Sequence, residues 1–249
     1  MTSTSPTLTY QVVMAGIETD NFSQLFPLFS ESSKESLASM LAVAWHNTYP
    51  AGRAILIEDA WGNAVYFILA GWVKVRRLLP NGDFTTLAIL GPGDFFGEMA
   101  ILDQSPRSTD VVALCTAEVL SVPAQKFTLT LRQDPDLHYR MLQLMAQRLR
   151  LTNARIELAH QPSAVKLANV LVNLGRRYGQ RNGGNAHTAV IFNVPIKDLA
   201  DVANISPEEA QQLLDKLAAK GWVKIDAAKQ QLQIQSLPQL EQLAQQSVA

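Results

Sequence analysis

One acidic and one basic side chain, Glu98 and Arg107, lie nine residues apart around a short apolar turn. Gly97 precedes the acid and lets the backbone come close to a ligand, because no Cβ stands in the way. Arg107 offers a fork of donors that matches phosphate oxygens, and Ser108 adds a hydroxyl. The Glu98 carboxylate would repel a phosphate unless it accepts a hydrogen bond from another group of the same ligand. A ribose hydroxyl is such a donor. The spacing therefore predicts a pocket for a cyclic ribose phosphate.

The backbone of this turn adds further donors. The first N–H groups of a helical turn have no intrahelical partner, so they suit an anion. The candidate ligand-binding residues of this stretch are Gly97, Glu98, Met99, Ala100, Arg107 and Ser108. An ion pair between Glu98 and Arg107 across the turn is the alternative interpretation.

The stretch resembles the phosphate-binding cassette of cyclic-nucleotide-binding domains. The resemblance implies that Glu98 holds the ribose 2′-hydroxyl and that Arg107 and Ser108 hold the cyclic phosphate. It also implies that Thr152 and Asn153, farther along the chain, reach the purine base, one from each subunit of a dimer. The expected allosteric ligand is cAMP, with cyclic di-GMP as the alternative, and no other cofactor is expected.

Composition excludes several other classes of protein. The 249 residues are 47% hydrophobic, which is ample for packed cores, and the net charge of −1 gives no global sign of nucleic-acid binding. A single cysteine excludes an internal disulfide and an iron–sulfur cluster. The four histidines are scattered without a carboxylate pair, so we expect neither catalytic residues nor a metal site. Without an apolar run of membrane length or an export signal, a cytoplasmic protein without membrane contact is expected.

The order of predicted elements indicates an α+β protein. Residues 22–44 have helical apolar spacing, and residues from about 45 to 126 form short strands separated by turns, which is typical of a small antiparallel roll. We expect an N-terminal extension at 1–21, a cyclic-nucleotide-binding antiparallel β-roll at 22–134, a long dimerisation helix with a hinge at 135–162, and a winged helix-turn-helix at 163–249. Ser163 is expected to cap the first helix of that last domain.

The helix from Pro135 carries apolar residues on two sides, so it needs two partners. One side leans on the roll, and the other predicts a parallel homodimer, with a monomeric core helix as the alternative. The predicted dimer interface consists of Leu142, Met145, Leu149, Thr152 and Ile156. Thr152 is polar among apolar neighbours, and its alternative role is a hydrogen bond to a carbonyl of its own helix.

Two short helices, 196–204 and 206–220, precede two strands that resemble a wing. With the roll and the dimer helix before them, the chain resembles the CRP/FNR family of bacterial transcription regulators over almost its whole length. The resemblance implies promoter DNA as a partner. The candidate DNA-binding residues are Lys197, Ser206, Glu208 and Gln212.

The second of these helices departs from the family pattern. Both arginines typical of family recognition helices are absent, and Glu208 and Glu209 follow Pro207 instead. Arginine supplies the commonest base-specific contact, and phosphate neutralisation drives most affinity. Two hypotheses therefore stay open: a DNA-binding regulator with an unusual site, or a winged domain that controls another transcription factor by protein contact.

Cyclic di-GMP needs a larger binding surface than a mononucleotide. The N-terminal extension could supply it through Tyr10, which could stack on a base. Arg53, Arg76 or Arg77 could pair with the second phosphate. The alternative for residues 1–21 is a tail without a binding role.

Overall fold

A computed structural model of the protein describes residues 19–179 and 187–245. The helices are α1 (Thr19–Leu25), α2 (Lys34–Leu41), α3 (Glu98–Leu102), α4 (Ala124–Gln133), α5 (Pro135–Glu157), α6 (Ser163–Tyr178), α7 (Ile196–Ala203), α8 (Pro207–Ala219) and α9 (Leu237–Ala244). The strands are β1 (Trp45–Tyr49), β2 (Ala54–Leu56), β3 (Ala64–Ala70), β4 (Val73–Leu78), β5 (Phe84–Leu90), β6 (Phe95–Phe96), β7 (Asp110–Ala113), β8 (Ala117–Pro123), β9 (Ala189–Phe192), β10 (Val223–Asp226) and β11 (Gln231–Ile234). Short 3₁₀ helices lie at Pro27–Phe29 and Leu158–His160. In the two described ranges, no helix combines the length and the apolar character that crossing a bilayer requires.

Strands β1 to β8 form two four-stranded antiparallel sheets, in the orders β1-β8-β3-β6 and β2-β7-β4-β5. Their facing sides share one apolar core, in which Ile68 and Val119 from the first sheet join Val73 and Val111 from the second. Strand β5 lies at the edge of the second sheet, so one of its edges is free for other contacts. This is the antiparallel roll that the strand spacing predicts.

The helical spacing over residues 22–44 gives two helices and a 3₁₀ turn rather than one helix. Pro27 disfavours helical backbone at the residue before it, and Phe26 is accordingly extended. The chain re-enters a helix at Ser33, whose hydroxyl accepts a hydrogen bond from the Ser36 N–H at 3.1 Å. Phe22, Phe26 and Phe29 pack against Phe67 of β3 and cover the first sheet.

Helix α5 begins at a capped turn and packs one side on the roll. The Asp134 carboxylate accepts hydrogen bonds at 3.0 Å from the N–H groups of Leu137 and Ser33. Leu137 and Met141 are buried in the core beneath the first sheet. The cap therefore fixes where the long helix starts relative to α2.

The C-terminal domain has α6 to α9 around one core, together with a three-stranded sheet in the order β10-β11-β9. The wing strands at 223–226 and 231–234 pair as expected, and β9 adds a third strand. The prediction that Ser163 caps α6 is wrong. Ser163 is the first residue of the helix, and its hydroxyl donates to Glu209 Oε1 at 3.2 Å, so it ties α6 to the start of α8.

The C-terminal domain packs on the edge strand β5 through helix α7. The buried Asp198 carboxylate accepts hydrogen bonds from the Thr86 hydroxyl at 2.6 Å and from Lys74 Nζ at 2.8 Å. Asp201 accepts a hydrogen bond from the Thr86 N–H at 2.9 Å. A second contact joins Asp94, which follows β5, to Arg177 near the end of α6.

Candidate functional site

The turn at Gly97 lies against the Arg107 side chain, so two parts of the candidate ligand-binding stretch come together. Gly97 has φ +83°, the left-handed region that favours glycine, and the backbone turns there from β6 into α3. The Arg107 guanidinium is buried behind this turn and donates to the Gly97 carbonyl and, at 2.8 Å, to the Ala64 carbonyl. Burial lowers the pKa of Arg107 below its usual value. Its remaining donors are available to an anion.

Glu98 does not form an ion pair with Arg107 across the turn; its partner is an arginine of α5. The Glu98 side chain is 2% exposed and forms an ion pair with Arg148 of α5. Arg148 also donates to the Phe95 carbonyl at 2.8 Å and lies over the Phe95 ring. Burial raises the pKa of Glu98, and the Arg148 charge opposes that rise.

These groups line one cavity of about 240 Å³ between the second sheet, α3 and α5. The residues that line it are Leu56, Val75, Ala88, Ile89, Leu90, Phe95, Phe96, Gly97, Glu98, Met99, Ala100, Arg107, Ser108, Thr109, Val111, Arg148, Leu151, Thr152, Arg155 and Arg177. Most of this wall is apolar, with the polar groups at the α3 turn and on α5. Such a lining suits a ligand with an apolar ring system and one anionic end.

The charges of the cavity wall favour an anion. Within the described ranges, two of its four arginines have carboxylate partners, because Arg148 pairs with Glu98 and Arg177 pairs with Asp94. Arg107 and Arg155 pair with no carboxylate there. Arg155 donates to the Leu87 carbonyl at 2.7 Å. Neither of these two guanidinium groups therefore forms an ion pair within the described ranges, although the charge of the nearby Glu98 favours the charged form of Arg107.

The structure brings seven of the eight predicted ligand residues to this cavity, and Asn153 is the exception. Asn153 is exposed on α5 and is not among the residues that line this cavity. Thr152 lines the cavity, and its hydroxyl donates to the Arg148 carbonyl at 3.0 Å, which is the alternative role predicted for it, a hydrogen bond within its own helix. Arg148 and Arg155 were not predicted. Their signal was present in the sequence, since both lie on the same helix within one turn of Thr152.

Two family models match separate parts of this chain. A cyclic nucleotide-binding domain matches residues 46–134, and a Crp-like helix-turn-helix domain matches residues 165–243. Together they account for well over half of the chain. The chain belongs to the CRP/FNR family.

Named relatives of this CRP/FNR protein are spread over distant bacteria. It is 29% identical over 200 residues to the "Cyclic AMP receptor protein" of Thermus thermophilus, which covers 80% of this chain and 88% of that protein. It is 27% identical over 179 residues to the "CRP-like cAMP-activated global transcriptional regulator" of Mycobacterium tuberculosis, covering 72% and 79%. The solved structure of FixK2 from Bradyrhizobium japonicum shares the fold, with a TM-score of 0.69, 21% identity and coverage of 83% and 100%.

The CRP/FNR protein exposes most of the predicted dimer face of α5. Leu142, Leu149 and Ile156 are 56%, 62% and 67% exposed, which is unusual for large apolar side chains in a row. Thr152 lies among them, exposed on the same helix. Met145, which is also predicted to lie at the dimer interface, is half-buried against the core under the first sheet.

The residues predicted to contact DNA divide into two groups. Ser206, Glu208 and Gln212 are exposed at the start of α8, and Ser206 forms a reciprocal capping pair with Glu209. The Lys197 side chain is exposed, and its ammonium group already has protein partners. Its Nζ donates to the Phe84 carbonyl at 3.0 Å and to Asp201 at 2.9 Å, so it is held between α7 and β5.

Proposed function

We propose that this CRP/FNR protein is a transcription regulator that binds a cyclic nucleotide, with cAMP as the favoured ligand, in the cavity between α3 and α5. The observation that carries this proposal is the buried Arg107 guanidinium, which faces the cavity without a carboxylate partner in the described ranges. A cyclic phosphate supplies the missing negative charge and accepts its remaining donors. The bound phosphate then places a full negative charge beside a buried cation whose protein partners are carbonyl oxygens.

The remaining polar groups fit the rest of such a ligand. Ser108 adds a hydroxyl beside Arg107, and Glu98 is placed to accept a hydrogen bond from the ribose. The purine points toward α5, where Thr152 offers a hydroxyl. The cavity of about 240 Å³ lies below the roughly 300–1,000 Å³ of typical small-molecule sites, so a single nucleotide fits it better than a dinucleotide. Both relatives are named for cyclic AMP, so cAMP is the first choice of ligand.

The cavity gives less support to cyclic di-GMP. Arg76 pairs with Asp110, and Arg77 pairs with Glu58. Neither of these arginines nor Arg53 lines the cavity, so none of the three is placed for a second phosphate. Tyr10 lies outside the described residues.

The proposed regulator acts as a homodimer in the cytoplasm. The exposed apolar residues of α5 supply a surface that a second α5 would cover. In a parallel pairing we assign Asn153 of one chain to the base of the nucleotide bound by the other, as the family resemblance implies. This arrangement accounts for the absence of Asn153 from the lining of this cavity in its own chain. It also makes the ligand site depend on the dimer.

We assign promoter DNA as the partner of the winged domain, with Ser206, Glu208 and Gln212 on the exposed start of α8. A second candidate, docking of another transcription factor, is favoured by the sequence of α8, which has two acidic residues in its first turn and no arginine to bind a base or a phosphate. A mobility shift at several salt concentrations separates them. Ligand-dependent binding that weakens with salt supports DNA, and no binding at low salt contradicts it.

The ligand proposal is tested by isothermal titration of the purified chain with cAMP. We expect Arg107→Ala to weaken binding by about 1.5–3 kcal/mol, because a charge-assisted contact to phosphate is lost. Arg53→Ala removes an exposed arginine outside the cavity and should leave the affinity unchanged. Equal affinity of the wild type and Arg107→Ala would place the ligand elsewhere.

A further inference from the structure

Two glycines enclose the Arg107 guanidinium. A Cβ atom on Gly97 would lie 2.8 Å from Nη1 of Arg107. A Cβ on Gly62 would lie 2.5 Å from Cζ and 2.8 Å from both Nε and Nη2. Carbon atoms in ordinary contact are about 3.5–4.0 Å apart. Any side chain at position 62 would therefore clash with the guanidinium in its observed position.

The two glycines are required for different reasons. Gly97 has φ +83°, so its backbone alone favours glycine. Gly62 has no positive φ, and its backbone conformation is open to alanine. The need for glycine at position 62 comes from the Arg107 side chain rather than from the turn.

Gly62 cannot move away from Arg107, because its segment is bonded to the Arg107 backbone. The Asp59 N–H donates to the Arg107 carbonyl at 2.8 Å, and the Arg107 N–H donates to the Ala60 carbonyl at 2.9 Å. Trp61 forms a β-bridge with Pro106. These contacts hold the segment at a fixed distance from the guanidinium, so a new Cβ must displace the side chain.

We propose that Gly62 is a positioning residue for ligand binding, which leaves room for the Arg107 guanidinium between the Gly97 turn and the Ala64 carbonyl. The inference rests on the proposed function, since it assigns Arg107 to the cyclic phosphate. With a Cβ at position 62, the guanidinium swings into the cavity and loses its bonds to Gly97 and Ala64. The anion then meets a mobile arginine in place of a fixed one.

The test is a titration of the full chain with cAMP. We expect Gly62→Ala to weaken binding at least about tenfold, because the charge-assisted contact loses its fixed geometry. Thermal unfolding of Gly62→Ala should remain cooperative, which shows that the variant is folded at the temperature of the titration. Asn63→Ala, at the exposed next position, is the matched control and should bind like the wild type.

A second background separates positioning from a general structural defect. Arg107→Lys lacks the planar group that meets Gly62, so adding Gly62→Ala to it should weaken binding by less than about twofold more. Full additivity of the two changes would overturn the proposal, and so would wild-type affinity of Gly62→Ala.

A crystal structure of ligand-free Gly62→Ala tests the same inference without any nucleotide. We expect the hydrogen bond from Arg107 Nη2 to the Ala64 carbonyl to be lost, and its retention would contradict the inference. If the wild type binds none of cAMP, cGMP and cyclic di-GMP, the proposed function fails, while this crystal structure still decides the role of Gly62.

Discussion

At the scale of single residues, the ion pair of Glu98 with Arg148 controls the electrostatics of the cavity. A buried carboxylate without a partner is strongly disfavoured in its charged form, so burial raises the pKa of Glu98. Arg148 counteracts that effect from α5 and keeps the acid available as a hydrogen-bond acceptor. The acid that is proposed to hold the ribose is therefore linked directly to the proposed dimer helix.

Removing Arg148 should give a stability defect that depends on pH. We expect Arg148→Met to lower the free energy of unfolding by about 1–3 kcal/mol at pH 7.5. The pKa of Glu98 in the folded protein then rises further. Because a raised folded-state pKa of a carboxyl favours its protonated form, the free energy of unfolding falls as the pH increases through that pKa. The defect should thus shrink at pH 5, as measured by urea denaturation. Arg150→Met, an exposed neighbour on α5, is the control, and a pH-independent defect would contradict this account.

The cassette residues could be predicted because they lie within twelve consecutive positions. Gly97, Glu98, Arg107 and Ser108 carry a local pattern whose chemistry is readable without the fold. Arg148 could not be paired with Glu98 in the same way, since fifty residues separate them. The contact of Gly62 with Arg107 likewise depends on how two segments cross in the folded chain.

At the scale of elements, helix α5 has two apolar sides with different surroundings. Leu137 and Met141 are buried under the roll, whereas Leu142, Leu149 and Ile156 are exposed. Burying a leucine contributes about 1.5–3 kcal/mol, so a row of exposed ones is a strong reason for self-association. We therefore propose that the helix packs on the roll with one side and on a second copy of itself with the other.

A charge on the exposed side should separate the two copies. Leu149→Glu removes two buried leucines from a symmetric dimer, and we expect the dissociation constant to rise at least about hundredfold. Sedimentation velocity measures this change. Gln147→Glu places the same charge on another side of the helix and should stay dimeric. A dimeric Leu149→Glu protein would contradict the proposed interface.

Element types were predictable, but several boundaries and caps were not. The period of the apolar residues identified α5, α7, α8 and the short strands. The helical spacing at 22–44 hid a break, because Pro27 interrupts the helix without disturbing the apolar pattern. Ser163 has a good capping side chain, yet the nearby Glu209 captures its hydroxyl through a tertiary contact that sequence order does not reveal.

At the scale of the whole molecule, the winged domain is held against the wall of the cavity. Strand β5 contributes Ala88 and Leu90 to the cavity and Thr86 to the contact with α7. The buried Asp198 carboxylate joins Thr86 and Lys74 to the winged domain. One strand therefore touches both the proposed ligand site and the helix that precedes α8.

Weakening this contact should loosen the winged domain without affecting the cavity residues. We expect Asp198→Asn, which loses its ion pair with Lys74, to speed hydrogen exchange of the Thr86 amide at least about tenfold, or about 1.4 kcal/mol. Hydrogen exchange read by NMR measures this rate. Asp215→Asn changes the same charge at an exposed site on α8 and serves as the control. Unchanged protection of Thr86 in Asp198→Asn would contradict the role of this contact.

The order of domains was predictable from the sequence, but their contact was not. Thr86 and Asp198 are 112 residues apart, and neither belongs to a motif. The same contact occupies Lys197, which by type and position alone suits a DNA phosphate. Only the folded arrangement shows that its ammonium group already has partners.

We propose that one cavity holds a cyclic nucleotide between Arg107 and Glu98. A crystal structure of the full chain with cAMP tests this proposal most directly. We predict the cyclic phosphate within about 3 Å of the Arg107 guanidinium and the ribose hydroxyl within the same distance of the Glu98 carboxylate. Density for the nucleotide at another surface, with this cavity empty, would contradict the claim.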